Sequence, residues 1–206
     1  MHTNPVFRRM PDADSLDFAR GRGFGTLILN GDGLPLVSHI PYLLDETGAD
    51  LHLTRSNPIT RGLASGETAP ALIAVAGPDG YISPDWYGIE GQVPTWNYVA
   101  VHLVGRLERR PDDELPALLD RLSDHFEARL LPKPVWKSSK LDAEAMARLL
   151  RMIVPFRFHL DEVRATWKLG QNKDEAARNA AGEALGRDGF GQETASLAAL
   201  MAAPPG

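Results

Sequence analysis

The 206-residue sequence predicts a mainly β protein with helices, an α+β fold built on one closed or nearly closed antiparallel barrel. Six or seven segments carry strand patterning, and the early ones are joined by short turns rich in Gly, Asn and Asp. Helical patterning is confined to an insertion at about 111–153 and to a C-terminal appendage at 173–206, so residues 1–172 form the barrel domain. A chain of this length can bury one substantial core, and 43% hydrophobic with 24% charged residues is ordinary globular composition.

The first helix runs from Asp12 to Arg20, with Asp12 as its cap, Leu16, Phe18 and Ala19 on its apolar side, and Gly21 and Gly23 as its stop. Phe24 to Leu29 is a strand. Asn30-Gly31-Asp32-Gly33 then makes a hairpin turn, because these residue types accept positive φ, and Leu34 to Leu44 returns. After a turn through Asp45 to Gly48, the alternating stretch Asp50 to Thr54 is the third strand of a meander. Asn57-Pro58 is the cap and first-position pair of a helix.

Pro70 to Ala76 is an apolar strand that Gly77-Pro78-Asp79-Gly80 turns into Tyr81-Ile82-Ser83. The following loop, Pro84 to Gln92, carries Trp86 and Tyr87, which either fold back on the core or face a ligand or second subunit. Thr95 to Gly105 is the longest strand, entered after Pro94 and apolar on both faces in its middle, hence central.

An acidic turn at Pro111 to Glu114 opens a helix whose stripe is Leu115, Leu118, Leu119, Leu122 and Phe126. Leu131 to Lys140, with Pro132, Pro134 and Trp136, is an irregular connection. Asp142 caps a second helix, Ala143 to Met152, with Met146, Leu149, Leu150 and Ile153 inward. Strand alternation resumes at Phe156 to Leu160 and continues through Thr166. Lys173 to Leu185 and Gln192 to Met201 are terminal helices separated by Gly186, Gly189 and Gly191.

Composition excludes several chemistries. No cysteine is present, so disulfides, thiolate catalysis and thiolate metal sites are out. No apolar run spans a bilayer and Met1 to Asp17 lacks a targeting pattern, which gives a cytoplasmic address. The net charge of -5 does not favour a polyanion. The terminal helix pair resembles a helix-turn-helix only in outline: Lys173, Arg178 and Arg187 face Asp174, Glu175, Glu183, Asp188 and Glu193. DNA remains a possible partner without a clear reading element. Gly21, Gly23 and Gly25 precede a strand and so are no dinucleotide fingerprint. The six histidines, at 2, 39, 52, 102, 125 and 159, have no helical zinc spacing, and no metal is expected. Ser38 and His39 are strand neighbours pointing to opposite faces, so they are not a nucleophile and base.

Two stretches suit a ligand. Arg55, Ser56 and the Asn57 helix start bring a guanidinium, a hydroxyl and free N–H groups together, which fits a phosphate or carboxylate, or equally an ordinary capped helix beside a surface Arg. Thr95, Trp96 and Asn97 put a hydroxyl, an indole and an amide where a strand leaves a loop, which fits a planar hydrogen-bonding ligand or a plugged barrel end.

The blocks Ser38-His39-Ile40-Pro41-Tyr42, Thr54-Arg55-Ser56-Asn57-Pro58, Ser83-Pro84-Asp85-Trp86-Tyr87, Val93-Pro94-Thr95-Trp96-Asn97-Tyr98 with Val101-His102, and Trp167-Lys168-Leu169-Gly170-Gln171-Asn172 occur in order. Together they resemble the PaiB-type FMN-binding negative transcriptional regulators over nearly the whole chain. The resemblance implies an FMN-binding split β-barrel, antiparallel, with inserted and C-terminal helices, and a homodimer with FMN at the subunit boundary. It assigns Arg55, Ser56 and the Asn57 helix start to the FMN phosphate, and Thr54 of the same block to the cofactor-binding set. Thr95, Trp96 and Asn97 go to the ring side with Ser38 and His39 close by, and Lys168, Gln171 and Asn172 to the carbonyl and N1 edge. The sequence departs from the pattern at Gly170, where Ser is expected, and at Ile59-Thr60, where Gln-Trp is expected. Two functions follow: a flavin-binding regulator that acts indirectly, or a flavin enzyme reducing or oxidising a small molecule.

Overall fold

The computed structural model describes residues 2–205. Eight strands form one sheet: β1 (Phe24–Leu29), β2 (Leu36–Pro41), β3 (Leu43–Leu44), β4 (Gly48–Thr54), β5 (Thr68–Ile82), β6 (Thr95–Arg109), β7 (Ile153–Lys168) and β8 (Gly191–Gln192). The hydrogen-bonded order is β2-β1-β5-β6-β7-β4-β3, with β8 on β5. The helices are α1 (Asp12–Arg22), α2 (Pro58–Arg61), α3 (Leu115–Ala128), α4 (Ala143–Leu150), α5 (Glu175–Asp188) and α6 (Thr194–Ala202). The class is the α+β one that the patterning predicts, and β6 is central as expected, between β5 and β7.

Chain contacts divide the protein into two compact units, each assembled from separated segments. The first consists of Met1–Phe18, Val75–His102 and Val163–Gly206, the second of Ala19–Ala74 and Leu103–Glu162.

In the second unit β1 pairs antiparallel with β2, Phe24 opposite Pro41 through Leu29 opposite Leu36, and with β5, Thr26 opposite Ala74. Alternation then sends Leu27, Ile40, Leu51, Ile73, Leu103, Leu107, Phe156 and Phe158 into one core. The expected meander does not continue past the hairpin. Tyr42 breaks the returning strand: its ring is fully buried, its hydroxyl donates to the Ala19 carbonyl at 2.8 Å, and its N–H donates to the Gly23 carbonyl at 2.9 Å. The chain therefore leaves β2, and β4 pairs with β3 and β7. A buried Tyr whose hydroxyl is satisfied by a carbonyl is a strong local constraint. The Arg157 guanidinium sits between Asp45, at 2.7 and 2.8 Å, and Asp50, at 3.1 Å. It holds the Asp45 carboxyl well below the ordinary carboxylate range.

The helical insertion forms as predicted but covers less. Leu115, Leu118 and Leu122 of α3 are buried, and Asp142 caps α4 by accepting from the Ala145 N–H at 2.8 Å. Leu149, expected inward, is exposed.

In the first unit Ile82, Tyr87, Val99, Trp167 and Leu169 pack with Ala177, Ala181 and Leu185 of α5 and Leu197 and Met201 of α6. The loop aromatics fold back: Tyr87 is in this core and Trp86 packs against it. The terminal helices thus spend their apolar faces on the unit's own core. The turn expected at Gly77-Pro78-Asp79-Gly80 is instead mid-strand in β5. Gly77 is there for close approach: a Cβ would lie 2.7 Å from both Phe18 Cζ and Val99 Cβ, and one on Gly80 would lie 2.7 Å from Leu185 Cδ1. Helix α1 runs through Gly21 to Arg22, so Gly21 does not stop it.

Candidate functional site

Six of the predicted site residues lie in the second unit. Thr54 ends β4, and the chain turns through Arg55 and Ser56 into α2. Asn57 caps α2 as the Asn-Pro pair predicts, its Oδ1 accepting from the Ile59 N–H at 2.9 Å. Its amide Nδ2 donates to Ser38 Oγ at 3.0 Å, so β2 and the cap are tied, and the Ser38 hydroxyl keeps its own proton to donate. Ser56 Oγ lies 3.5 Å from Thr54 Oγ1, and the buried Thr60 hydroxyl donates to the Thr54 carbonyl at 3.0 Å. Thr54 with Ser56, and Asn57 with Ser38, are therefore two side-chain pairs of hydroxyl and amide groups at the start of α2. Thr60 serves the turn at the position where a ligand-covering Trp was the expected pattern.

Arg55 is placed otherwise. Its Nη2 donates to Asp112 Oδ2 at 2.9 Å and to the Ile153 carbonyl at 3.3 Å, and its Nε to the Arg151 carbonyl at 3.0 Å. The guanidinium that suits a phosphate thus has a carboxylate partner from 57 residues away, which local sequence could not reveal. Helix α2 spans only four residues, so its dipole adds little. His39 points away from Ser38, as alternation requires, and its Nδ1 meets Thr26 Oγ1 at 3.1 Å on the facing strand.

The other six lie in the first unit. Alternation along β6 separates the Thr95-Trp96-Asn97 trio. Thr95 and Asn97 line a cleft of about 230 Å³ with Phe7, Tyr87, Lys168 and Lys173. Trp96 instead lines a wider groove of about 640 Å³ with Ala76, Gly77 and Tyr98. Its ring meets Phe190 edge-on at 5.7 Å and Tyr81 at 6.3 Å, while Tyr81 and Phe190 stack at 5.3 Å. Trp96 is 45% and Phe190 61% exposed, so this aromatic surface faces outward. Asn97 is buried, its Nδ2 donating to Met201 Sδ at 3.5 Å.

Lys168 ends β7 and closes the cleft. Its Nζ donates to the Trp96 carbonyl at 2.7 Å and to Thr95 Oγ1, using two of three donors, and lies 5.9 Å from the Phe7 ring centroid. Burial lowers its pKa from the ordinary lysine value. Gln171 is spent on the turn: it accepts from the Leu169 N–H at 2.9 Å and donates to the Trp167 carbonyl at 2.6 Å. Gly170 sits there at φ 82, a conformation that disfavours the expected Ser. Asn172 lines the cleft beside Lys173, whose Nζ donates to Gln92 Oε1 and lies 5.4 Å from the Tyr87 centroid. Burial raises the Tyr87 pKa. Sequence reasoning missed Phe7, Gln92 and Lys173, which reach the cleft from three segments and share no motif.

The donor set fits FMN by chemistry. A phosphate needs hydroxyl, amide and cationic donors, and a flavin ring needs aromatic surface and a cation near its carbonyl edge. Both kinds of group are present, each within its own unit. Among the described residues no group of three His, Asp or Glu side chains could hold a metal, and no helix is long and apolar enough to cross a membrane.

Residues 1–162 match the family described as "Putative FMN-binding domain". The chain is 30% identical over 176 residues to protease synthase and sporulation protein PAI 2 of Bacillus subtilis, covering 83% of each. Among solved structures it resembles the FAD and heme binding protein from Mycobacterium smegmatis, with a TM-score of 0.57 at 20% identity over 90% of this chain and 82% of that one. It also resembles the flavocytochrome Anf3 from Azotobacter vinelandii, with a TM-score of 0.56 at 14% identity over 93% of this chain and 80% of that one. At these identities the two structural likenesses are likenesses of fold.

Proposed function

This chain is a flavin-binding split-barrel protein of the PaiB-type FMN-binding family, and on that premise we propose that it acts as a negative transcriptional regulator. It works as a cytoplasmic homodimer, and its influence on transcription is indirect, through a protein partner or a small molecule. The name of the Bacillus relative, with which this chain shares 30% identity, supports the regulator reading. The packing of α5 and α6 into their own core supports an indirect route, because their remaining surface is acidic overall.

The observation that carries the flavin reading is Lys168, a partly desolvated ammonium fixed by the Trp96 carbonyl in a cleft walled by Phe7 and Tyr87. Bound FMN supplies a redox-active ring. A cation beside its N1 edge would favour the reduced, anionic form. Lys168 and Asn172 are proposed for that edge, with Thr95 and Asn97 positioning Lys168 and the cleft wall, Gln171 holding the turn, and Trp96 offering ring surface. In the second unit Ser38, Thr54, Ser56 and Asn57 are proposed for phosphate, with Arg55 exchanging Asp112 for it, and His39, next to Ser38 on β2, fixed by Thr26 of the neighbouring β1.

The absorbance spectrum of the freshly purified protein is expected to show bound flavin, and Lys168→Met to weaken FMN binding about tenfold through loss of a charge-assisted hydrogen bond. A colourless protein whose addition leaves FMN fluorescence unchanged would sink the reading. In a gel shift at physiological salt the purified protein should form no sequence-specific complex; a specific one would make the regulation direct. Light scattering should give a dimer, and a monomer at every concentration would remove that part.

A second reading is a flavin-dependent oxidoreductase acting on a small molecule. The groove beside Trp96, about 640 Å³, is of substrate size and favours it. It predicts bleaching of the flavin absorbance by NADH, NADPH or a reduced partner under anaerobic conditions, and unchanged oxidised flavin with each would exclude it.

A further inference from the structure

The cleft that Lys168 closes in the first unit has a second cation in its wall. Lys168 and Lys173 both line its volume of about 230 Å³, together with Phe7, Tyr87, Gln92 and Thr95. These neighbours fix where the two ammonium heads lie. Lys168 Nζ donates to Thr95 Oγ1 and is 5.9 Å from the Phe7 ring centroid, while Lys173 Nζ donates to Gln92 Oε1 and is 5.4 Å from the Tyr87 centroid. Each head is thus placed among the walls of the same cleft.

Nothing in that wall neutralises them. No Asp or Glu lines the cleft, and among the described residues neither lysine has an ion-pair partner. The carboxylate next in sequence, Asp174, caps α5, its Oδ1 accepting from the Ala177 N–H at 2.8 Å. Burial lowers the Lys168 pKa with no opposing charge to raise it again. Two like charges beside one small cleft repel each other and are partly desolvated, and a shared anion relieves both effects.

The donors left over point to the same guest. Within the chain Lys168 uses two of its three ammonium protons and Lys173 one, and Thr95, which accepts from Lys168, keeps its hydroxyl proton to donate. The Asn172 amide, also in the wall, makes no side-chain hydrogen bond among the described residues. Phe7 and Val93 add carbon surface, so a carbon body fits beside a charged head. A volume below that of drug-sized pockets limits the guest to a single ring or a short chain.

We propose that the cleft between Lys168 and Lys173 binds a small organic carboxylate, whose charged end takes both ammonium groups and whose carbon body lies against Phe7 and Val93. For a flavin oxidoreductase this names the substrate class. That role rests on the oxidoreductase reading, whereas the binding itself does not.

The test is calorimetric titration of the full chain, with and without saturating FMN, using benzoate as the probe. Benzamide has the same shape without the charge, and inorganic phosphate has the charge without the carbon body. One benzoate per chain is expected, with benzamide weaker by about tenfold or more and phosphate by about threefold or more. Lys173→Met should weaken benzoate about tenfold and Lys173→Arg by no more than about threefold, with FMN affinity unchanged in both. Benzamide or phosphate binding as tightly as benzoate overturns the proposal, as does an absence of benzoate binding or an unchanged affinity in Lys173→Met. Loss of benzoate binding on FMN saturation also overturns it, because the cleft would then belong to the cofactor. A chain that takes up no FMN sinks the flavin reading alone, and the titrations without FMN then decide for or against the carboxylate. If Lys173→Met fails to fold, the ratio of benzoate to benzamide affinity in the unmodified protein decides the matter.

Discussion

Single residues carry the two clearest departures from local expectation. Gly170 stands where the family resemblance implies Ser, and φ 82 accounts for it. A Cβ there has room, with Arg178 Cγ at 3.4 Å as its nearest neighbour, so the cost of a side chain is backbone strain and not crowding. Gly170→Ala should therefore lower unfolding free energy by about 1–2 kcal/mol in a urea titration. A change near zero would mean that the turn relaxes. Arg55 teaches the complementary lesson. Its chemistry was legible as anion-seeking, and so was the Asn57 cap, because a cap is made within a few residues. The Asp112 carboxylate that the guanidinium meets was not, because tertiary pairing alone brings it there.

At the level of elements, periodicity recovered β1 to the residue and the long central strand, but turn chemistry misled at β5. Gly-Pro-Asp-Gly has the letters of a reverse turn, and the structure uses them in an extended strand, because Gly77 must admit Phe18 and Val99 and Gly80 must admit Leu185. The two glycines differ in what they face. A Cβ on Gly77 would also lie 3.0 Å from the Val99 carbonyl oxygen, whereas one on Gly80 meets the movable end of a leucine. Gly77→Ala should cost about 1–3 kcal/mol by overpacking and Gly80→Ala distinctly less. Equal losses in chemical denaturation would show that both neighbours yield alike. The same reasoning explains why the candidate cleft was only half readable: Lys168 and Asn172 share a motif, whereas Phe7 and Lys173 reach the cleft by folding alone.

For the whole molecule, acid stability should record two half-buried imidazoles. His52 and His102 both have pKa values lowered from 6.5 by burial, His102 also by the charge of Arg164. Between that ordinary value and the lowered one, the unfolded chain binds protons that the folded chain refuses. Unfolding free energy is then full above pH 6.5 and declines as pH falls through the lowered values. His52→Phe should flatten part of that decline, read from denaturation midpoints across the window. An identical slope with and without His52 would assign the acid sensitivity elsewhere.

The two-residue strand β8 has a consequence out of proportion to its size. It lies against Asp79 and Gly80 of β5, the Tyr81 N–H donates to the Phe190 carbonyl at 3.2 Å, and Gln192 N–H donates to Asp79 Oδ1 at 3.0 Å. The ladder with β1 ends at Ala74, so this short tab occupies a margin of β5 that would otherwise offer bare amides and carbonyls. A protease nick before residue 190 would unseal that margin, and the clipped chains would then recruit one another strand to strand.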